Sequence, residues 1–319
     1  MSTVICLGEV LFDLLADQVG AEAHEVQSWT ALAGGAPANV ACGLVKLGTA
    51  AQFIGCVGED APGQALAAKL QAQQVGLLGL QCHPTAPTRQ VQVLRSINGD
   101  RTFAGFGAVP TDQFADAYLD QIPEELFTNF QSNTQFLVLG TIGLAYPQSR
   151  VATWAAVRLA QRHQISIVVD VNWRPSFWLD PGAALEEIRE LLAVADVVKF
   201  AQEEALLLYQ EDYPLQLRTL LPQAQGVIVS DGGNVCRYSL WDQTGELPAF
   251  QVSAVDTTGA GDAFVAAVVH QLCNGEQQAA QIIRYASAAG ALTTLKPGAI
   301  DAQPTADEVA VFLATHHPR

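Results

Sequence analysis

Positive charge is scarce in this chain: 16 lysines and arginines stand against 32 aspartates and glutamates, a formal net charge of −16. That balance excludes broad adhesion to a nucleic-acid backbone, which needs many cations along one face. It leaves room for a small anion held by local donors. The six cysteines (Cys6, Cys42, Cys56, Cys82, Cys236, Cys273) form no C-x-x-C pair and lie in apolar segments, so neither a zinc site nor a dithiol motif is encoded and buried free thiols are expected. No apolar run reaches the ~18 residues of a membrane span, and MSTVICLGEVLFD carries no basic region ahead of a long apolar stretch. A cytoplasmic protein with no membrane partner is therefore expected. Also missing are the G-x-G-x-x-G dinucleotide fingerprint, the G-x-x-x-x-G-K-[ST] phosphate loop, the G-x-S-x-G nucleophile elbow, the H-E-x-x-H metal pair, internal repeats and low-complexity tracts.

Half of the 319 residues are apolar, enough for a sizeable core. Short β-branched runs at 4–8, 51–58, 136–140, 165–170, 196–200 and 226–230 alternate with helical patterns at 37–48, 62–74, 147–163 and 185–195. Strands apolar on both faces and separated by helices specify an α/β fold with a doubly wound, mostly parallel sheet. TRQVQVLRSINGDRTFAGFG (88–107) breaks the alternation: it reads as two strands of period two around Asn98-Gly99, a hairpin turn signal. With residues 14–32 it is expected to form a small β-sheet lid, about 14–32 and 88–110, inserted in a single domain spanning 1–319. On pattern alone an ordinary surface hairpin is the alternative.

The densest chemistry lies in DTTGAGDAF (256–264). It reads as an extended approach, a glycine turn, then a helix whose face includes Phe264, Val268 and Leu272. Backbone amides near Gly259, Ala260 and Gly261 then sit at a helix N-terminus, where unpaired N–H groups and the helix dipole favour an anion. Asp262 falls in the first turn, facing the same anion. A carboxylate gains nothing by approaching a phosphate, but it makes sense as the base that takes a proton from an attacking hydroxyl. Locally, the pattern is equally consistent with a first-turn charge that merely complements the dipole. A second glycine cluster, LAGGAPANVACG (32–43), precedes a helix: Gly34 and Gly35 let the chain turn beneath a ligand, and Asn39 offers donor and acceptor groups suited to sugar hydroxyls. With Asp13, these residues would gather at the carboxyl edge of the sheet, where open α/β folds bind ligands.

Six motifs in order, GEVLFD, GGAPANVA, DVNWRPSFW (170–178), VKFAQEE (198–204), DTTGAGDAF and YASAAGALTTLKPGAI (285–300), resemble the PfkB (ribokinase-like) carbohydrate kinases over nearly the whole chain, and fructokinases within them. The resemblance implies transfer of the ATP γ-phosphoryl group to a sugar hydroxyl with Mg²⁺, Asp262 as base and residues 259–262 as anion hole. It implies that Asp13, Gly34, Gly35, Asn39 and Asn172 bind sugar, that Arg174 reaches toward phosphate, and that Lys199, Glu204, Ser230, Gly232, Gly259, Gly261 and Ser287 line the ATP site. Asp256, with carbonyls of Thr258 and the 293–298 loop, resembles a monovalent-cation (K⁺) site. Ala201 departs from the first position of the Asn-x-x-Glu motif that helps organise magnesium in relatives, and Ser230 and Asp231 depart near the nucleotide glycine. D-Fructose, giving fructose 6-phosphate, is the implied substrate. A 2-keto-3-deoxygluconate kinase is the alternative: its acidic substrate wants an extra cation, absent from 104–110 but available from Arg89, Arg95 or Arg101. A catalytically silent binding or scaffold protein is a third reading, and a homodimer paired through the lid is an expectation from the resemblance.

Overall fold

The computed structural model describes residues 3–96, 101–128 and 134–316. Strand β1 (Thr3–Leu7) runs through the middle of the main sheet with every side chain buried, Val4 and Cys6 on one face and Ile5 and Leu7 on the other. That two-sided burial is what a run without polar alternation requires. The chain continues through β2 (Leu11–Ala16), β3 (Trp29–Gly34), α1 (Ala36–Lys46), β4 (Ala50–Gly58), α2 (Ala61–Ala72), β5 (Gly76–His83), β6 (Gln90–Arg95), β7 (Arg101–Gly105), α3 (Glu125–Thr128), β8 (Thr134–Leu139) and α4 (Pro147–Arg162). The second half adds β9 (Ser166–Asp170), α5 (Pro181–Leu192), β10 (Val197–Ala201), α6 (Gln202–Tyr209), α7 (Pro214–Leu220), β11 (Gly226–Ser230), β12 (Val235–Leu240), β13 (Gln243–Pro248), α8 (Ala260–Cys273), α9 (Ala279–Thr293) and α10 (Ala306–Thr315).

Among the described residues the main sheet orders β13-β12-β11-β10-β9-β8-β1-β4-β5, parallel from β11 to β5 and antiparallel at β12 and β13. One core cluster packs α4, α5, α6 and α7 on one face; the other packs α1, α2, α8, α9 and α10 on the opposite face. The doubly wound expectation is met. Strand order reverses beside β1, so the crevice that binds ligands in such sheets lies at the carboxyl ends of β1 and its neighbours. No described helix is long and apolar enough to cross a membrane.

The small sheet, ordered β3-β2-β6-β7, is separate from the main one. Strands β6 and β7 fall where the alternating pattern placed them, while the predicted Asn98-Gly99 turn lies outside the described residues. The first half of this sheet begins earlier than the expected residue 14, at Leu11, because β2 pairs antiparallel with β3 from Leu11↔Gly34 to Ala16↔Trp29. Strand β2 follows β1 almost directly, so the chain leaves the main sheet and enters the small one within a few residues. Residues 252–258, expected to be extended, form no strand: Val255 and Asp256 donate their amides to the single carbonyl of Thr294 instead, at 2.7 and 3.1 Å.

Candidate active site between the two sheets

A cleft of about 590 Å³ opens where the small sheet meets the carboxyl edge of the main sheet. Leu11, Val91, Val93 and Phe103 supply an apolar wall from the small sheet, and Asp13, Asn39, Asn172, Arg174, Lys199, Glu204 and Asp262 supply polar groups from both. The structure thus brings together residues separated by up to two hundred and more positions in the chain.

Asp262 sits in the first turn of α8. Gly259, just before the helix, has φ +79°, and a Cβ there would lie 2.9 Å from Ala299 Cα, so backbone conformation and space both demand glycine. The Ala260 amide reaches the Thr257 carbonyl at 3.3 Å, while Gly259 and Gly261 line the cleft at a helix start whose amides lack partners within the helix. Asn39 Nδ2 donates to Asp262 Oδ2 at 2.7 Å. Burial pushes the Asp262 carboxyl up to about 6; the Asn39 hydrogen bond pulls it down, nearby Asp170 raises it, and Lys199 and Arg174 lower it. A carboxyl poised there is ionised at neutral pH yet still basic enough to accept a proton.

Helix packing aims that pair. One turn beyond Asn39, Gly43 of α1 faces Ala266, one turn beyond Asp262; a Cβ on Gly43 would come 2.9 Å from Ala266 Cβ and would overlap Gln303 Oε1. Gln303 in turn donates to the Asn39 carbonyl at 2.8 Å. Close approach of α1 and α8 at the glycine is what sets the Asn39–Asp262 contact.

Across the cleft, β2 carries Asp13, half-buried, its carboxyl pushed up to about 6 by burial against the opposing pull of Arg101 and Arg174. Gly34 packs against it, since a Cβ there would lie 3.0 Å from Asp13 Oδ2. At Gly35, φ is +103° and a Cβ would lie 2.5 Å from the Glu9 carbonyl oxygen. Asn172 adopts φ +43°, a left-handed conformation that Asn tolerates better than most residues. Arg174 Nη1 donates to the Trp173 carbonyl at 2.8 Å while its side chain lines the cleft.

Lys199 is buried on β10 with Nζ 3.0 Å from Asp170 Oδ1. Burial pushes its ammonium down, but Asp170, Glu204 and Asp262 outweigh that and raise it, keeping the lysine charged. Glu204 accepts the Trp173 amide on Oε1 and the Ala201 amide on Oε2, both at 2.7 Å. It braces the Asn172–Arg174 loop against the start of α6. Ser230, Gly232 and Ser287 stand apart: Ser230 caps the end of β11 with its hydroxyl on the Phe200 carbonyl at 3.3 Å, Gly232 occupies the turn after it, and Ser287 lies on α9. None of the three lines the cleft.

The expected cation position is occupied by hydrogen-bond donors. Asp256 Oδ1 accepts the Thr258 amide (3.0 Å) and hydroxyl (2.7 Å); Oδ2 accepts the Gly298 amide (2.8 Å) and Arg101 Nη2 (2.7 Å). Four donors fill the carboxylate's acceptor capacity, so this arrangement does not fit a K⁺ bound to that side chain.

Sequence reasoning passed over Glu9 and Asp170 as site residues. Glu9 is buried, lines the cleft, accepts the Ala36 amide on Oε1 at 2.8 Å, and is pushed up to about 7, by burial first. Both stand inside motifs quoted for other residues, GEVLFD and DVNWRPSFW, at or just beyond a strand's carboxyl end. That position was the available signal.

The description "pfkB family carbohydrate kinase" matches residues 1–306. The chain is 33% identical over 316 residues to "Probable fructokinase-6, chloroplastic" of Arabidopsis thaliana, covering 96% of this chain and 81% of the relative. Its fold superimposes on a fructokinase with bound ATP from Xylella fastidiosa with a TM-score of 0.84, 28% identity and 98% of each chain covered. A fructokinase from Vibrio cholerae O395, in a fructose-, ADP- and calcium-bound form, gives a TM-score of 0.82 at 27% identity over 98% of this chain and 99% of that one. A double mutant of that protein in a potassium-bound form gives the same score and identity, over 98% of each chain.

Proposed function

Because the chain belongs to the pfkB family of carbohydrate kinases, we propose that it transfers the γ-phosphoryl group of ATP to the 6-hydroxyl of D-fructose, with Asp262 as general base. The observation that carries this reading is the Asn39–Asp262 pair at the head of α8, facing Asp13 across one cleft. Asp262 takes the hydroxyl proton as the oxygen attacks phosphorus, and the amides at 259–262 hold the negative charge of the transferring group at the positive end of the helix. Arg174 and Lys199 add positive charge on the cleft wall, and Asp13, Asn39 and Asn172 with the glycine turn at 34–35 hold the sugar. Ser230, Gly232 and Ser287 would then flank the nucleotide's far end, outside the cleft proper.

A metal ion accompanies ATP in this reading: no three His, Cys, Asp or Glu side chains among the described residues are grouped to hold one, Asp170 being paired with Lys199 and Glu204 taken by two amides, so the phosphates would bind magnesium directly and Glu203 on the cleft wall would meet it through water. Bound there, magnesium would neutralise phosphate charge. The small sheet acts as the lid. Its end strands β3 and β7 each have one neighbour in the described sheet, which supports pairing of two copies through the lids; a dimer in sedimentation is expected, and a monomer at working concentration would remove that part.

A neutral sugar is favoured over a sugar acid because the three candidate arginines are committed elsewhere. The Arg89 side chain is fully buried, bonded to Asp116 at 2.6 and 2.8 Å; Arg95 donates to the Ala16 and Asp17 carbonyls; Arg101 is held by Asp256. ADP release with fructose, glucose, ribose and 2-keto-3-deoxygluconate tests the reading. Turnover on fructose that collapses in Asp262→Asn is expected; turnover on the keto acid alone would overturn the substrate, and none on any sugar would favour the scaffold alternative.

A further inference from the structure

Arg101 begins β7, the outermost strand of the small sheet, and reaches across the cleft mouth to the loop that leads into α8. Its guanidinium closes a ring: Nη2 donates to Asp256 Oδ2 at 2.7 Å, Nη1 donates to Thr258 Oγ1 at 2.6 Å, and that hydroxyl donates onward to Asp256 Oδ1 at 2.7 Å. The planar fork presents two N–H donors to two acceptors in a fixed plane, a geometry that an ammonium does not hold. Asp256 is buried and Arg101 about one-third exposed, so the pair is partly withdrawn from water. The carboxyl is held below the usual range because hydrogen bonds from Thr258 and Gly298, with Arg101, outweigh the upward push of burial. The Thr294 carbonyl, on the loop expected to help hold a cation, is itself taken by two amides.

The same ring fixes the turn carrying Gly259 and Gly261. Asp256 ties down Thr258 directly, and Gly259 follows at φ +79° into the first turn with Asp262. A strand at the lid's edge is therefore bonded to the segment that would hold the transferring phosphate.

We propose that Arg101 is a positioning residue: the lid's guanidinium takes up the Asp256 carboxylate in place of a monovalent cation, so that closing the lid orders the 257–261 turn and turnover needs no potassium. This rests on the sugar-kinase reading above. It differs from a merely adhesive ion pair in joining lid position, turn order and cation requirement in one contact.

The test uses the full chain as wild type, Arg101→Ala and Arg101→Lys. Activity is measured with fructose and Mg-ATP with either potassium or tetramethylammonium as the monovalent cation, and backbone hydrogen exchange of 101–105 and 256–261 is followed without substrates. The wild type is expected to turn over within about twofold of the same rate in both salts. Arg101→Ala should lose roughly tenfold or more in kcat, beyond any change in KM, and recover partly with potassium or guanidinium. Arg101→Lys should keep the charge yet recover little, and both variants should exchange faster at 256–261. A wild type that needs potassium, or an Arg101→Ala with wild-type kcat and unchanged exchange, would overturn the proposal. If the wild type phosphorylates no sugar, the sugar-kinase reading fails, and the exchange comparison alone decides the contact.

Discussion

At the scale of single residues, the cleft's chemistry depends on carboxyls whose affinity for protons is set by neighbours. Asp262 faces Asn39 from α1, Asp170 and Lys199 from β9 and β10, and Arg174 from the loop beyond β9. With its carboxyl at about 6, the base is lost as pH falls through that value, so kcat/KM should show an acid limb near 6 in a pH-rate profile. Asp262→Asn keeps the shape and removes the base; kcat should drop by about 10²- to 10⁴-fold, measured as ADP release. Asn39→Ala removes a hydrogen bond that favours the charged form, so the acid limb should move to higher pH. An unmoved limb would show that another group titrates in it, and Asp13, also at about 6, is the first to test. Most of these residues were legible in the sequence, because glycine turns, a helix start and an aspartate at fixed spacing carry their chemistry locally. Arg101 was visible only as spare charge: nothing in NGDRTF says that its partner lies 155 positions away.

At the scale of elements, two packings hold the site. The first is the α1–α8 crossing at Gly43, where an added side chain would meet Ala266 and Gln303. Gly43→Leu should destabilise the fold by roughly 1–3 kcal/mol through overpacking and also lower kcat, because spreading the helices separates Asn39 from Asp262. Thermal melts and turnover together check this; a lowered Tm with full kcat would show that the pair tolerates the shift. The second is the base of the small sheet, where Arg89, between Phe106, Phe114, Tyr146 and Phe177, pairs with buried Asp116. Asp116→Ala leaves that guanidinium buried without its charge partner, so a loss of about 3–5 kcal/mol is expected in denaturant unfolding. Periodicity gave the identities of most strands and of α1, α2, α4, α5 and α8; β5, the antiparallel β12–β13 pair and the helices α3, α6, α7, α9 and α10 were left unread. The Arg89 cage could not be read either, since its rings come from four separated segments.

For the whole molecule, placing carboxyls in a ligand cleft trades stability for function. Glu9, at about 7, and Asp13 and Asp262, at about 6, all bind protons more tightly folded than unfolded. Each contribution to stability is complete below the unfolded carboxyl range and is lost as pH rises through the folded value. Glu9→Gln should therefore gain on the wild type in melting temperature as pH is raised from 4.5 to 7, while its Oε1 can still accept the Ala36 amide. A difference that is flat across that window would mean that Glu9 is already ionised in the folded protein.

The amino-acid sequence by itself determined the layered α/β architecture, the small second sheet and the glycine-aspartate turn at the head of α8, because the pattern that specifies each element is written in residues close in the chain. Hydrophobic period, turn chemistry and helix-start signals act over a few residues and can be read there. Only the tertiary structure decided that Asn39 meets Asp262, that Glu204 is spent on two backbone amides, and that Asp256 is matched by an arginine. Those contacts join segments far apart in sequence, and which donor fills a carboxylate depends on how the two sheets meet.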